Sequence, residues 1–338
     1  MKAEKNVILV DNDVQNDWKF KEALEKSTNE MWEIYKVISN KNHGNKLQLF
    51  IRYIKYFMAP MIIFLKLKSY KRVLAWQQFY GLILAFYFRM FKVKKTPDIT
   101  IMTFIYKPKK NVIGKVYENF IRYIITSGYI KKIIVFSKNE KQYYAKLFNV
   151  SDQMFEFVTL GYEDKTKIIK KQNSEMYFLS AGRSNRDYEF LMNAWKKEEK
   201  NILKIICDTV RIDESNQIEV LNNCYDNEYF RQLSGSYAVI VPIRNEEISS
   251  GQLVIIQAMM YGKPVIVTEN ATVRDYVVDG QDGFIIAKNS KELKKAINKL
   301  LDKECYALMS KNARKHYEEK FSIYAMGYEV GKIIEKMN

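Results

Sequence analysis

The strongest constraint on the fold of this chain is a regular alternation. Short runs rich in Val and Ile, such as NVILV (6–10), KKIIVFS (131–137), LKIICD (203–208) and KPVIVT (263–268), alternate with longer amphipathic runs. Strand, helix and strand in repeated succession require right-handed crossovers and a parallel sheet. The alternation runs through two cycles, one ending with MFEFVTLGYED (154–164) and the next starting at MYFLSAG (176–182). The polar, basic stretch 165–174 between them reads as a linker. The expected fold is α/β, with two Rossmann-like halves facing a cleft. The two halves are expected at 1–164 and 175–320, followed by a largely helical tail at 321–338. Within the first half, FKEALEKSTNEMWEIYKVI predicts one helix over 20–38. Within the second, TVRDYVVDG predicts one over 272–280.

At 338 residues and 47% apolar content, the chain can bury a large core in one to three domains. Its three cysteines, Cys207, Cys224 and Cys305, lie far apart, with neither a disulfide framework nor metal-ligand spacing. That pattern suits a reducing cytoplasm. The first apolar run is too short for a signal peptide.

Charge is uneven. Residues 51–150 carry 20 basic and 3 acidic groups, whereas 151–338 carry 27 and 28. A basic first half suits nucleic acid, an anionic membrane or a phosphate-bearing substrate. No nucleic-acid-binding motif is present, so no nucleic-acid partner is expected. In Lys46–Arg72, aromatic and aliphatic residues alternate with Arg52, Lys55, Lys66, Lys68, Lys71 and Arg72, and Pro60 interrupts the apolar run. The run is too short to span a bilayer. It suits an interfacial element over 46–95 with basic groups toward lipid phosphates. It also suits a core helix with a solvated basic face.

Two turns carry the chemistry. ISSGQLVIIQAMMYGKPVIVT (248–268) runs from a Ser-Ser-Gly turn into an apolar helix and straight on to a strand. Gly251 lets backbone approach a ligand, Ser249 and Ser250 add hydroxyls, and the helix start offers free N–H groups to a phosphate. SAGRSNRDY (180–188) ends an earlier strand of the same half and places Arg183 and Arg186 beside Gly182 and Ser184. Two guanidiniums at a strand exit can hold a diphosphate through charge-assisted bonds.

With these turns in view, the second half resembles the donor-binding domain of GT-B glycosyltransferases of the family-4 type. The segment QAMMYGKPVIVTENATVRDYVVDGQDGFII carries the resemblance, with SAGRSNRDY and the closing NARKHYEEKFS. The resemblance implies that 1–164 binds the acceptor and faces the membrane, that 175–320 binds the nucleotide sugar, and that a last helix at 321–338 packs back on the first domain. The donor it implies is a nucleotide-diphosphate sugar, a UDP-sugar, with no cofactor and no metal. The Asp-x-Asp spacing of Asp11–Asp13 lies in the other half. Arg183, Arg186 and Ser184 are expected at the diphosphate, with Ser249, Ser250, Gly251 and Gln252 cradling it. Gln257 stands where the family has a Glu for ribose hydroxyls, and a buried Gln merely satisfied by backbone groups is the alternative. Glu246, then Glu247, are expected at the donor-sugar hydroxyls. Asn222 and Asn223 are expected near the base, or as a plain turn.

In the first half, Tyr106 and Lys107 occupy the place where relatives often have a His. Neither His43 nor His316 fits there. Asp11 and Asp13 follow the first strand, and either would serve as general base in an inverting reaction. Lys107, Lys109 and Lys110 suit a lipid pyrophosphate or solvent. The expected function is transfer of a sugar to a polyprenyl-diphosphate-linked saccharide in cell-surface polysaccharide biosynthesis. The expected location is the cytoplasm, peripheral on the inner face of the membrane. A silent nucleotide-sugar-binding partner of another transferase is the alternative.

Overall fold

A computed structural model describes residues 5–11, 13–15, 17–37, 46–167, 176–198, 201–211 and 217–337. His43 and most of the expected linker, from 168 onward, lie outside them. The chain divides into two units, Met1–Val158 with Gly327–Asn338, and Thr159–Met326.

In the first unit the elements are β1 (Lys5–Val10), α1 (Lys19–Thr28), β2 (Trp32–Lys36), α2 (Lys46–Leu65), β3 (Tyr70–Gln77) and α3 (Gln78–Met90). They continue with β4 (Asp98–Thr103), α4 (Val112–Ile125), β5 (Ile130–Val135), α5 (Lys138–Phe148) and β6 (Phe155–Phe157). All strand pairs are parallel, in the order β2-β1-β3-β4-β5-β6. The chain steps outward from β1 to β2, then returns to lay β3 on the other side of β1. The order therefore reverses between β1 and β3.

The second unit contains β7 (Tyr177–Ala181), α6 (Tyr188–Glu198), β8 (Ile202–Ile206), β9 (Ile218–Leu221), α7 (Asp226–Gly235) and β10 (Ala238–Val241). After these come α8 (Gln252–Met260), β11 (Val265–Thr268), β12 (Gly283–Ile286), α9 (Ser290–Leu301), α10 (Lys303–His316) and α11 (Ile323–Glu335), whose last turns belong to the first unit. This sheet is parallel too, in the order β12-β11-β10-β7-β8-β9, with its reversal between β10 and β7. Its strands read as unbroken apolar runs because both faces are covered. Leu179 and Val239 join one buried cluster, while their neighbours Phe178 and Ile240 join the cluster on the opposite face.

Two expected helices are corrected. The run 20–38 is a helix followed by a strand. Asn29 adopts the left-handed conformation at φ 50° and ends α1, and Trp32–Lys36 then pairs with β1. Trp32 is buried, its indole N–H donates to Thr28 Oγ1 (3.1 Å), and its backbone N–H donates to Glu25 (2.8 Å). The run 272–280 contains only a 3₁₀ turn at Val273–Asp275. Asn270 Oδ1 accepts from the N–H groups of Thr272 and Val273, and Asp282 accepts from that of Val278. These side chains compete with a helical ladder for the same donors.

The helix α2 buries Tyr56, Ala59 and Ile63 and exposes Tyr53, Phe57, Met58 and Leu65. Among the described residues, no helix is long and apolar enough to cross a membrane. Residues 327–338 group with the first unit. Gly327 lies so close to α1 that a Cβ there would stand 2.4 Å from the carbonyl oxygen of Phe20.

Candidate functional site

In an open parallel sheet, ligands bind beyond the carboxyl ends of the strands where the order reverses. In the second unit that point lies between the exits of β7 and β10. The exit of β7 leads into Gly182–Asp187 and that of β10 into the loop 242–251. Asn185 makes most of the bonds that stitch the two loops. Asn185, at φ 56°, donates from Nδ2 to Asn245 O (2.9 Å) and to Ser250 Oγ (2.8 Å). Its Oδ1 accepts from Asn245 N–H (2.8 Å), and its carbonyl accepts from Arg244 N–H (3.2 Å). The Asp187 N–H donates to Pro242 O (2.8 Å). The two turns singled out in the sequence thus form one rim.

On that rim Gly251 takes φ 96° and opens α8, and no side chain caps the helix. The first intrahelical bond runs from Ile255 N–H to Gly251 O. The N–H groups of Gln252, Leu253 and Val254 are therefore left outside the helical ladder, with the positive end of the helix dipole behind them. Ser249 accepts a hydrogen bond from the Gln252 side-chain amide, which holds the turn.

The two arginines differ. Arg183 is exposed, and its charge acts on Asp208 and Tyr225. Arg186 is buried. Its guanidinium donates to Ala181 O (3.0 Å) and to Ser184 O (2.9 Å), so it shapes the loop from inside. Burial lowers its pKa. Ser184 itself is exposed.

Beside this rim lies a cavity of about 340 Å³. Arg183 and Gly182 line it, together with Leu253 and Val254 from the first turn of α8, and Gln257 is part of its wall. Gln257 is buried. Its Oε1 accepts from the Tyr229 hydroxyl (2.8 Å), and its amide also bonds the Tyr162 hydroxyl. It is satisfied by tyrosines and not by backbone, and it still borders the cavity. Burial pushes the Tyr229 hydroxyl well above the ordinary phenol range.

Asp208 closes the other side. It accepts from the Tyr225 hydroxyl and from Asn223 N–H (2.8 Å). These bonds, foremost that from Tyr225, hold its pKa below the usual carboxylate value, and the charges of Arg183 and Arg211 add to them. Asn222 is exposed, and its Oδ1 accepts from Arg211 (3.4 Å).

Glu246 and Glu247 are exposed on the loop after β10. Glu246 fixes that loop by accepting from Ala271 N–H through its carbonyl (2.8 Å), and Glu247 N–H donates to Asn245 Oδ1 (2.9 Å). In the first unit, Asp11 and Asp13 follow β1. Asp13 is exposed and pairs with Lys36 at 2.9 Å. Tyr106 is buried and donates to Glu118 (3.3 Å), whereas Lys107 is exposed. His316 contacts Asp282 through Nδ1 at 2.6 Å.

Sequence reasoning missed Asn185, Asp208 and Tyr229. The only local signal was for Asp208, a carboxylate at the end of a strand. Asn185 and Tyr229 act on residues 28 to 65 positions away, beyond the reach of a local pattern.

Residues 162–316 match the family of glycosyl transferases group 1. No curated protein matches the chain by sequence. Among solved structures, sucrose-phosphate synthase from Thermosynechococcus elongatus is similar over 99% of both chains, with TM-score 0.68 and 14% identity. HepE from Anabaena, solved with UDP and with UDP-glucose, is similar in its UDP complex over 98% of this chain and 100% of its own. The TM-score there is 0.65 and the identity 13%. WaaG, a glycosyltransferase involved in lipopolysaccharide biosynthesis, covers 97% of this chain and 99% of its own at TM-score 0.58 and 13% identity. At such identities the likeness establishes the shared GT-B fold.

Proposed function

We propose that this chain, which has the GT-B fold and whose residues 162–316 match the group 1 glycosyl transferases, is a glycosyltransferase that uses a UDP-sugar as donor. The acceptor is a hydroxyl of a membrane-associated saccharide, of the polyprenyl-diphosphate-linked kind used in cell-surface polysaccharide biosynthesis. The reaction takes place at the inner face of the cell membrane. One observation carries the donor half of this reading: Arg183 and the uncapped first turn of α8 line the same cavity. The UDP and UDP-glucose complexes of HepE support uracil as the base. The basic stretch 51–150 supports an anionic acceptor carrier.

The chemistry follows from charge. As the bond from the sugar C1 to the diphosphate oxygen breaks, negative charge gathers on the leaving diphosphate. Arg183 and the N–H groups of Gln252, Leu253 and Val254 stabilise that charge, helped by the hydroxyls of Ser249 and Ser250. Arg186 keeps the loop in shape for Arg183. Gln257, oriented by Tyr229, serves the ribose. Asp208, Asn222 and Asn223 border the base. Glu246 and Glu247 serve the hydroxyls of the transferred sugar. Asp11, Asp13, Tyr106 and Lys107 lie on the acceptor side.

A UDP-release assay with a panel of UDP-sugars and crude membranes as acceptor tests the reading. Release that requires both donor and membranes, and that is lost in Arg183→Ala, supports it. Release with soluble acceptors alone would remove the lipid-linked acceptor. Failure of any UDP-sugar to raise the melting temperature would remove the donor assignment.

A further inference from the structure

The second unit begins and ends at one seam. The chain enters this unit at Thr159 and leaves it after Met326. Near its two ends, Tyr162 and Ser322 form a parallel bridge. Thr159 Oγ1 donates to Lys320 O (2.8 Å), and Tyr162 N–H donates to Phe321 O (2.9 Å). The Tyr162 carbonyl accepts twice, from Ile323 N–H (3.1 Å) and from the Tyr317 hydroxyl (2.9 Å). The backbone of Tyr162 is thus pinned on both its N–H and its carbonyl side, which gives its side chain a fixed base.

From that seam the side chain reaches the wall of the donor cavity. The Tyr162 ring packs against Phe230 with centroids 6.1 Å apart, and Phe230 packs in turn on Tyr229 at 5.1 Å. The Gln257 side chain, part of the cavity wall, donates to the Tyr162 hydroxyl and accepts from that of Tyr229 at 2.8 Å. Among the described residues these two phenols are its side-chain partners. An amide accepts two hydrogen bonds at oxygen and donates two from nitrogen, so one lone pair and one N–H remain. A vicinal diol can use one acceptor and one donor at once. With both phenols in place the amide has a fixed orientation, whereas with one it can turn, and binding must then order it.

We propose that Tyr162 is a positioning residue for the donor: anchored at the seam, it holds the Gln257 amide so that its remaining N–H and lone pair meet the ribose diol. The inference rests on the ribose reading of Gln257 given above. Isothermal titration calorimetry on the full chain compares UDP with 2′-deoxy-UDP. Wild type prefers UDP by about tenfold, the worth of one well-placed hydrogen bond. Tyr162→Phe keeps the ring on Phe230, weakens UDP by about fivefold and leaves 2′-deoxy-UDP unchanged, so the preference shrinks to about twofold. Added to Gln257→Ala, Tyr162→Phe has no further effect, because the two side chains act as one unit. A preference that survives in Tyr162→Phe, an equal weakening of both nucleotides, or the same loss in the Gln257→Ala background overturns the positioning role while the donor reading stands. Equal binding of the two nucleotides by wild type removes the ribose reading and this inference with it. Binding of neither removes the donor reading as a whole.

Discussion

The two sheets use the same ingredients and finish their reversal points differently. In the first unit the reversal falls between β1 and β3, and the helix after β3 begins at once with Gln78. The Gln77 side chain caps that helix by accepting from Phe79 N–H at 2.6 Å. In the second unit ten residues separate β10 from α8, Gly251 sits at positive φ, and no side chain caps the helix. The cap of α3 fills one of its first-turn donors, whereas no side chain fills those of α8, which lie beside a cavity where an anion can meet them. At α8 the uncapped start lies beside a cavity, which supports the proposed diphosphate site, and the deciding atoms belong to loops.

Substitutions at each reversal point can break this contrast. The largest expected effect is that of Arg183→Ala, a loss of about 10²–10³ in kcat/KM for the donor, measured by UDP release. Next is Asn185→Gly, which tolerates the left-handed backbone and removes only the stitch. Its three side-chain bonds are worth about 2 kcal/mol together, read as a lower denaturation midpoint with weaker UDP binding. Gly251→Ala places a Cβ 3.1 Å from Val241 Cγ1 and forces a left-handed residue, at a cost of about 1–2 kcal/mol. Gln77→Ala, the counterpart in the first unit, uncaps α3 for about 1 kcal/mol and leaves UDP affinity unchanged. Weaker UDP binding in that variant would erase the distinction between the two sheets.

The smallest effect is one of pH. Asp208 has a lowered folded pKa, so its contribution to stability is complete above the unfolded value near pH ~4 and fades as pH falls through the folded value. Wild type and Asp208→Asn should differ in chemical denaturation at neutral pH and converge in acid. A difference that grows on acidification would contradict the assignment.

Much of the second unit was legible because its signals are local. SAGRSNRDY and ISSGQ carry glycine, arginine and serine at strand exits, and each determines its own turn. The two misread helices share one cause. In 20–38 and 272–280 the amphipathic spacing persists, but Asn29 and Asn270 redirect the backbone through left-handed geometry or competing side-chain bonds. Gln257 shows what position alone leaves open. Its place in the helix pointed to a ligand or to backbone, and the hydroxyls of Tyr229 and Tyr162 came from elsewhere in the chain. Arg183 and Arg186 look alike in sequence. Only the carbonyls of Ala181 and Ser184 distinguish the loop-building arginine from the exposed one.

The close seat of Gly327 on Phe20 also bears on how the polypeptide matures. The first unit is discontinuous, 1–158 closed by 327–338, while 159–326 is a single uninterrupted segment. During synthesis the later segment is whole before the earlier one can be sealed. The amino-terminal half is thus completed only after the segment that follows it, and truncation ahead of residue 327 would leave α1 without its cover.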